Sequence, residues 1–330
     1  MGRNGQSRMR GDRTYAKPAL AADELVDRLI GQGLVVADRE RAIRYIARVG
    51  YFRLSPYAIP FRDPTGDRRF DVGTEFDDVL ELYVLDRQLR MVTLDALERV
   101  EVAVRAAVTD EMSRRHGPHW YVEPEHFSRT GGHDRLLARV RERSSEQLSR
   151  REEGQSSRLT YPSALEHYLT SYGSPELPPS WLVLEQCTIG ELANLYRDLV
   201  DRAARQRIAG SLGVNDLLLT SWLPAYRRVR NICAHHGRLW NVGLGVYPKL
   251  PTSTLVMWPA GAGSVAPGAN RRLYPVLASL RSLLATISPG SSWHERLAGL
   301  VLGAPPVFAR GIGFPEGWTT DQFWSPIQGH

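Results

Sequence analysis

Apolar residues recur every three or four positions along most of the chain, which is the spacing of one buried face of an α-helix. The longest such run extends from Asp77 to about His116 without an internal proline or glycine, and it predicts one long helix or two helices in line. The alternation of strands and helices that α/β folds need is missing from the pattern. The sequence therefore predicts an all-α fold, an antiparallel helical bundle.

Two helices are predicted before this long helix. Residues 19–31 have an amphipathic pattern that ends at Gly31, and a second helix begins after the cap residue Asp38 and ends at Gly50. An aromatic connector with two prolines follows. Its aromatic side chains either pack this helical pair against the main body or stack on nucleic-acid bases.

Several shorter helices are predicted after the long one. The first, residues 134–153, is highly charged and weakly apolar, which indicates an exposed projection rather than a core element. The others complete the bundle, and they cover residues 162–172, 182–184, 189–199 and 203–212. The last helix of the bundle is predicted to start at Ser221, with Pro224 tolerated in its first turn.

The pattern changes after Trp240. Residues 242–269 are rich in glycine, proline and serine and predict an irregular arm, whereas residues 270–287 predict an amphipathic helix and residues 291–302 a shorter one. The rest predicts loop and tail. Its large aromatic residues indicate docking on the body or on a second subunit: Phe308, Phe314, Trp318, Phe323 and Trp324.

The helix that starts at Ser221 leads into a stretch where groups capable of phosphate chemistry meet at helical spacing. On a wheel of about 100° per residue its apolar residues form one face, and His236 falls on that side. Asn231 and His235 are four positions apart and therefore neighbours on another arc, which spans about 140°. That arc is basic and hydrogen-bonding, and it holds Arg227, Arg230, Asn231, Ala234, His235 and Arg238.

Such an arc indicates phosphodiester cleavage. Imidazole titrates near neutral pH and transfers protons, whereas a guanidinium keeps its charge and stabilises phosphate oxygens as negative charge builds up. Arg230 and His235 are therefore catalytic candidates, with Asn231 orienting the ring or a phosphate oxygen. The alternative, from the residue types alone, is a core helix whose arginines are solvated.

Composition and charge change this interpretation little. The 330 residues carry a formal net charge of +6, which is compatible with an anionic partner. Two cysteines are too few for a disulfide framework, and Cys233 lies on the apolar face, where packing is the expected role. No stretch approaches the roughly 20 apolar residues of a membrane span, and residues 1–13 lack the apolar centre of a signal peptide. We therefore expect a cytoplasmic protein with no membrane partner.

Two further groups of titratable residues are candidates for chemistry. Glu98, Glu101 and Arg105 lie at i, i+3 and i+7 of the long helix. The two carboxylates either bind metal or transfer protons, or else they form an ion-pair ladder with Arg105. Four histidines, at positions 116, 119, 126 and 133, do not have the spacing of a closed zinc site. We predict neither a metal nor another cofactor.

Several strings, in their order along the chain, resemble the Abi-like (abortive infection, AbiD/AbiF type) proteins of the HEPN superfamily. Arg230–His235 matches the HEPN pattern of an arginine, usually followed by a polar residue, and then a histidine a few positions later. The longer string from Arg230 to Asn241 resembles the Abi-like signature. The other matching strings lie at 50–57, 82–90, 98–105, 179–181, 188–192 and 221–223, so that the resemblance covers residues 17–241.

The resemblance implies a HEPN-type bundle with a helical cap at one end and a helical and irregular extension at the other. Together with the composition of the two ends, it divides the chain into a disordered leader (1–16), an N-terminal cap (17–75), a HEPN domain (76–241) and a C-terminal arm with one or two helices (242–330). Glu98 and Glu101 would then lie near the helix that carries Arg230.

The resemblance also implies a metal-independent endoribonuclease that leaves 2′,3′-cyclic phosphate and 5′-hydroxyl ends. Arg230, Asn231 and His235 would be catalytic. A second set would bind RNA or support the site: Arg227, Arg228, His236, Arg238, Glu98, Glu101 and Arg105. The expected partners are RNA, a second copy that supplies another motif, and an antitoxin protein or RNA that restrains this toxin of phage defence.

Two alternatives remain open from the sequence. One is a HEPN bundle that binds RNA or a nucleotide without cutting it, which salt-sensitive binding without cleavage would favour. The other is a purely structural dimer in which the basic arc is an interface. This second alternative predicts no RNA affinity.

Overall fold

The computed structural model describes residues 14–64, 67–152, 163–265 and 271–324, without the side chains of residues 150–152 and 262. Over these ranges the chain forms thirteen α-helices. The β-type backbone pairing in the same ranges consists of three isolated β-bridges. The predicted all-α fold is confirmed. None of the described helices combines the length and the apolar character needed to cross a membrane. Most of the predicted leader lies outside the described residues.

The chain forms two units, and the boundary between them falls after Val84, inside the long helix α4 (Phe76–His116). The first unit contains α1 (Ala22–Gly31), α2 (Arg39–Val49), α3 (Tyr51–Leu54) and the start of α4. The Asp38 side chain caps α2 by accepting a hydrogen bond from the Arg41 backbone N–H at 2.8 Å. Gly50, at φ 94°, ends α2 as predicted.

The aromatic connector contributes to the core of the first unit. Tyr57 is buried and packs edge to face against Tyr83, with 5.7 Å between ring centroids, whereas Phe52 is exposed. The other buried apolar residues of this core come from α1, α2, the start of α4 and the segments around them: Val26, Leu29, Leu34, Ala42, Ile46, Leu54, Ala58, Phe70, Phe76, Val79, Leu80 and Leu82.

The second unit contains the rest of α4 and the remaining helices. These are α5 (Thr130–Glu152), α6 (Ala164–Ser171), α7 (Ser180–Leu184), α8 (Ile189–Asp198), α9 (Arg202–Ser211), α10 (Asp216–Ala234), α11 (Tyr274–Ile287), α12 (Trp293–Leu302) and α13 (Pro306–Ile312). Helices α8, α9 and α11 each pack against α10, and α5 packs against α6 and α8. Helix α10 is therefore the centre of this unit.

Two helices differ from the sequence prediction in their surroundings. Helix α5 is not an exposed projection, because Val140 is buried and Arg143 donates a hydrogen bond to the Gln186 carbonyl at 2.8 Å. Helix α11 is not amphipathic, since every residue from Tyr274 to Leu284 is buried. Both α10 and the C-terminal aromatic residues pack against α11, which leaves it no solvent-facing side over that range.

The C-terminal aromatic residues dock on the body of the second unit, which resolves the two alternatives left by the sequence. The five residues are Phe308, Phe314, Trp318, Phe323 and Trp324, and all are buried. Part of this segment, predicted as loop, forms α13. The Trp324 indole N–H donates to the Tyr274 hydroxyl at 3.1 Å, which ties the end of the described chain to α11.

Candidate active site

The catalytic candidates lie at the C-terminal end of α10, which begins earlier than predicted. The Asn215 side chain caps the helix by accepting a hydrogen bond from the Leu218 backbone N–H at 2.9 Å. The predicted start at Ser221 was wrong, and Pro224 lies inside the helix rather than in its first turn. Buried residues on both sides of the proline stabilise the helix: Leu218, Leu219, Trp222, Leu223, Ala225, Tyr226, Val229 and Cys233.

Helix α10 ends inside the motif, in a Schellman arrangement. The backbone N–H of His236 donates to the Cys233 carbonyl at 3.0 Å, and that of Gly237 donates to the Ile232 carbonyl at 2.7 Å. His236 takes the left-handed conformation that this arrangement requires, with φ 56°. Histidine is one of the non-glycine residues enriched in that conformation. The chain therefore leaves the helical path within the predicted site.

Because α10 ends at Ala234, the helical wheel does not apply beyond the C-cap residue His235. His236 was predicted on the apolar face, but it is exposed, and that prediction was wrong. Arg238 is half-buried in the loop after the helix and not on the polar arc of α10. The basic arc is therefore shorter than the sequence indicates.

Arg230 lies half-buried where two grooves meet. The α5 groove, about 500 Å³ in volume, runs between α5, α8 and α10 and contains Asn231. The α4 groove, about 320 Å³, runs between α4 and α10 and contains Glu98, Glu101 and Arg105. Within the described ranges the Arg230 side chain forms no hydrogen bond or ion pair with the protein. Its guanidinium can therefore bind a ligand from either groove.

Part of the predicted ion-pair ladder forms in the α4 groove: Arg105 pairs with Glu101, whereas Glu98 forms no ion pair within the described ranges. The Arg105 guanidinium donates to Glu101 at 3.2 Å, to Glu185 at 3.3 Å and to the Cys187 carbonyl at 3.0 Å. Burial raises the pKa of Glu101, and the positive charges of Arg105 and Arg230 only partly oppose this effect. Glu101 therefore shares its electrostatic environment with Arg230, while a catalytic role for it stays a prediction.

Arginines dominate the α5 groove. Arg139 and Arg143 come from α5, and Arg227 and Arg230 come from α10. The Arg227 side chain lies against Gly190 at the start of α8, where a Cβ atom would come within 2.9 Å of the Arg227 Cδ. A larger residue at position 190 would thus displace this arginine. Sequence reasoning missed the two α5 arginines because it placed that helix away from the body.

The other candidates surround this end of α10. His235 is exposed and, among the described residues, is not part of the lining of either groove. Arg228 is exposed, and its Nε donates to the Leu244 carbonyl at 3.2 Å. Cys233 is buried, and burial raises the pKa of its thiol to about 12, which fits packing and not nucleophilic chemistry. The structure thus brings Arg230 and Asn231 together and leaves His235 open to solvent.

A buried ion pair on α4, which sequence reasoning did not single out, fixes the loop after the motif. Asp86 is fully buried, and its Oδ1 accepts hydrogen bonds from the backbone N–H groups of Leu239 at 3.1 Å and Trp240 at 2.7 Å. Arg90 forms an ion pair with Asp86 and donates to the Gly237 carbonyl at 3.3 Å. The sequence did contain a signal, because the two residues lie four positions apart on the long predicted helix.

Helix α13 holds the same loop. The Trp240 indole N–H donates to the Phe308 carbonyl at 2.9 Å, and the two rings stack with 6.2 Å between their centroids. A Cβ atom at Gly311 would come within 2.2 Å of the Trp240 Nε1, so that glycine is required at this contact. The C-terminal segment is therefore part of the framework of the site.

Three of the four histidines between positions 116 and 133 contact other groups of the chain: His116, His126 and His133. In the described part of the chain no three His, Cys, Asp or Glu side chains are grouped so as to hold a metal ion. The rings of His116 and His126 lie 4.3 Å apart, and burial, followed by the charge of His116, lowers the pKa of His126. His133 is buried, with its Nε2 2.9 Å from the Tyr121 carbonyl oxygen.

A protein-family model described as Abi-like protein matches residues 44–241, more than half of the chain. The matched range contains the end of α10, both grooves that meet at Arg230, and the Asp86–Arg90 pair. Comparisons with curated proteins and with solved structures give no match.

Proposed function

The chain belongs to the Abi-like protein family, and we propose that it is a metal-independent HEPN endoribonuclease that acts in abortive infection. The observation that carries the proposal is the position of Arg230 beside Asn231, half-buried at the junction of the two grooves. A guanidinium in this setting favours a phosphate group, because it is partly desolvated and is not engaged in an ion pair with the described residues.

In the proposed reaction the ribose 2′-hydroxyl attacks the adjacent phosphorus atom. The new P–O2′ bond closes a 2′,3′-cyclic phosphate, while the P–O5′ bond breaks and the 5′-oxygen takes up a proton. Arg230 stabilises the negative charge that builds up on the non-bridging oxygens, and Asn231 orients His235 or a phosphate oxygen. His235 takes the proton from the 2′-hydroxyl or supplies one to the 5′-oxygen. The step needs no co-reactant, since the nucleophile belongs to the substrate.

The proposed active form is a homodimer. In-line cleavage uses both a base and an acid, and each chain supplies one His235 at its motif. Because His235 is exposed at the end of α10, its ring is accessible to a second copy of the chain. A two-fold axis near this end of α10 would bring two such histidines to one site.

Subunit mixing tests the dimer. Inactive His235→Ala protein is mixed with wild type in increasing proportion, and the subunits are allowed to exchange. If one site uses both histidines, activity should fall as the square of the wild-type fraction, because mixed dimers are inactive. A linear fall, or a monomeric molar mass by light scattering, would contradict the shared site.

The family also supports a cellular role as a toxin that arrests growth during phage infection. Uncontrolled RNA cleavage would harm the host, so the proposal includes an antitoxin, a protein or an RNA, that restrains the enzyme. Expression of wild type should arrest growth, whereas His235→Ala should not. Equal arrest by both proteins would show that the toxicity does not arise from the proposed cleavage.

Cleavage itself is tested with end-labelled single-stranded RNA in the presence of EDTA. We expect wild type to give 2′,3′-cyclic phosphate ends, and Arg230→Ala and His235→Ala to give none. His167→Ala is the matched control, since His167 is another exposed histidine on a helix and, among the described residues, lines neither groove. Cleavage that survives in His235→Ala would show that the assigned site is wrong.

One observation favours a second candidate function, a module that binds RNA or a nucleotide without cutting it. His235 does not line the two grooves that contain Arg230, as far as the described residues define them. In that case wild type and all three variants should leave the RNA intact, while Arg230→Ala alone should lose affinity for it. Folded proteins that neither bind nor cut RNA would instead support a structural role for the basic arc.

A further inference from the structure

Helix α5 carries a row of arginines that leads to Arg230. Arg135, Arg139 and Arg143 follow one another at intervals of four residues, so they lie along one side of the helix with a rise of about 6 Å per interval. We name these three residues the α5 arginine row. Such a repeat is comparable to the separation of adjacent phosphates along a polynucleotide strand.

Two grooves connect this row with the candidate site. A groove of about 160 Å³ between α5 and α8 contains Arg135, and it shares Arg139, Glu191 and Asn194 with the α5 groove. The α5 groove in turn contains Arg230. The two grooves adjoin at these three shared residues, and we call them together the trough, with the α5 arginine row on one wall and the arginines of α10 at its end.

The two sides of Arg230 differ in charge. The α5 groove is lined by four arginines and one acidic residue, Glu191, which forms an ion pair with Arg139 and accepts a hydrogen bond from the Thr188 backbone N–H at 2.7 Å. The α4 groove is lined by two arginines and two glutamates. Positive potential is therefore concentrated on the α5 side, and a polyanion that reaches Arg230 should lie along α5 rather than along α4.

We propose that this trough binds the sugar–phosphate backbone of single-stranded RNA next to the phosphate held by Arg230. The inference rests on the proposed function, and it adds Arg135, Arg139 and Arg143 as substrate-binding residues. A volume of about 500 Å³ is that of a small-ligand site, which suits a short piece of a single strand rather than a duplex segment. Arginines along the α5 wall and at the α10 end suit phosphate contacts, which track a strand without reading its sequence.

The test measures RNA affinity on the His235→Ala background, so that cleavage does not consume the ligand. Fluorescence anisotropy of a labelled single strand is followed at several salt concentrations for three proteins: the background itself, a variant with alanine at positions 135, 139 and 143, and Arg141→Ala. Arg141 is the matched control, because it is exposed on the same helix and is not part of the trough.

Log affinity falls linearly with log salt, and we take the slope as the magnitude of this fall. For a single strand, the slope decreases by about 0.7 for every phosphate that the protein ceases to neutralise. Alanine at all three positions is therefore expected to weaken binding and to lower that slope by about two, while Arg141→Ala leaves both unchanged. Equal slopes for the three proteins would overturn the proposal. Equally tight binding of poly-glutamate by the background protein, abolished in the triple variant, would overturn it in favour of an acidic protein partner.

Separate measurements distinguish a failure of the trough proposal from misfolding of a variant and from failure of the nuclease hypothesis. Arg139 and Arg143 have protein partners, Glu191 and the Gln186 carbonyl, so the triple variant is also compared by thermal unfolding. Arg135→Ala alone removes an exposed side chain that forms no hydrogen bond or ion pair within the described ranges, and it should lower the slope by about 0.7. If wild type leaves RNA intact but the variants have a lower slope, the nuclease hypothesis is rejected and the trough proposal stands. If wild type cleaves RNA but the slopes are equal, the trough proposal is rejected and the nuclease hypothesis stands.

Discussion

Two ion pairs on α4 have the same sequence pattern, an acidic residue followed four positions later by an arginine, but different surroundings. In the Asp86–Arg90 pair the side chains are 0% and 8% exposed, and backbone groups of the loop after the motif complete the hydrogen bonding. In the Glu101–Arg105 pair they are 17% and 11% exposed, and the pair borders a groove that also contains Arg230. One pair is enclosed by protein and the other faces a space that a ligand can enter.

The difference shows how one pattern serves two purposes in the same helix. An acidic residue that precedes an arginine by four positions is favourable in any helix, and three more such pairs lie on α4: Asp95–Arg99, Asp110–Arg114 and Glu111–Arg115. What each pair does depends on what packs against it. Asp86 and Arg90 fix the backbone beside the site, whereas Glu101 and Arg105 set the potential around Arg230.

The largest effect is expected from Asp86→Ala. This change leaves the buried Arg90 charge without its carboxylate and removes the acceptor of the Leu239 and Trp240 N–H groups. Breaking a buried pair in this way typically costs about 3–5 kcal/mol of unfolding free energy, measurable by urea denaturation. Asp86→Asn keeps an acceptor for the backbone and should lose less. A loss below about 1 kcal/mol, the range of exposed pairs, would mean that the loop is held by other contacts.

The second prediction tests the α13 side of the same loop. Gly311→Ala places a methyl group against the Trp240 indole and should destabilise the protein by about 1–3 kcal/mol, as overpacking does. Gly299→Ala is the matched control in α12, because nothing lies within 4 Å of its added Cβ. It should be neutral or stabilising, since alanine favours a helix over glycine. Equal destabilisation by both substitutions would argue against a specific Gly311–Trp240 contact.

Much of the fold could be predicted from spacing alone. The long helix was predicted from Asp77 to about His116 and spans Phe76–His116, and Asp38 caps α2 as expected. Such features depend on local periodicity and capping, which one sequence shows directly. Arg230 and Asn231, chosen on the same grounds, do share one groove. Their catalytic role stays a prediction.

The errors arose where distant parts of the chain decide the structure. A charged composition placed α5 in solvent, but its contacts with α8 bury part of it and make the α5 arginine row one wall of the trough. A helical wheel placed His236 on the apolar face, but a Schellman turn ends α10 two residues earlier. The sequence pattern of Asp86–Arg90 does not distinguish it from other helical ion pairs, because the loop that it binds is distant along the chain.

A smaller effect, on pH dependence, is expected from Glu101→Gln. Burial raises the pKa of Glu101 above the value of 4.5 in the unfolded chain, so the folded protein binds more protons than the unfolded chain as the pH rises from 4.5 to that raised value. Its contribution to stability therefore falls with rising pH in that window. The unfolding free energy of wild type minus that of Glu101→Gln, measured by urea denaturation at a series of pH values from 4.5 upwards, should therefore fall with rising pH. Glu142→Gln, at an exposed position of α5, should leave the wild-type profile unchanged.

The smallest effect is expected from Asp110→Ala. The Asp110–Arg114 pair has the same sequence pattern as Asp86–Arg90, but its side chains are 61% and 71% exposed. Water solvates both groups before and after the substitution, so the loss should be about 0.3–0.5 kcal/mol at low salt and should vanish at high salt. Urea denaturation at two salt concentrations measures it. A loss as large as that of Asp86→Ala would show that sequence spacing, rather than burial and the bound loop, determines how much these pairs stabilise the protein.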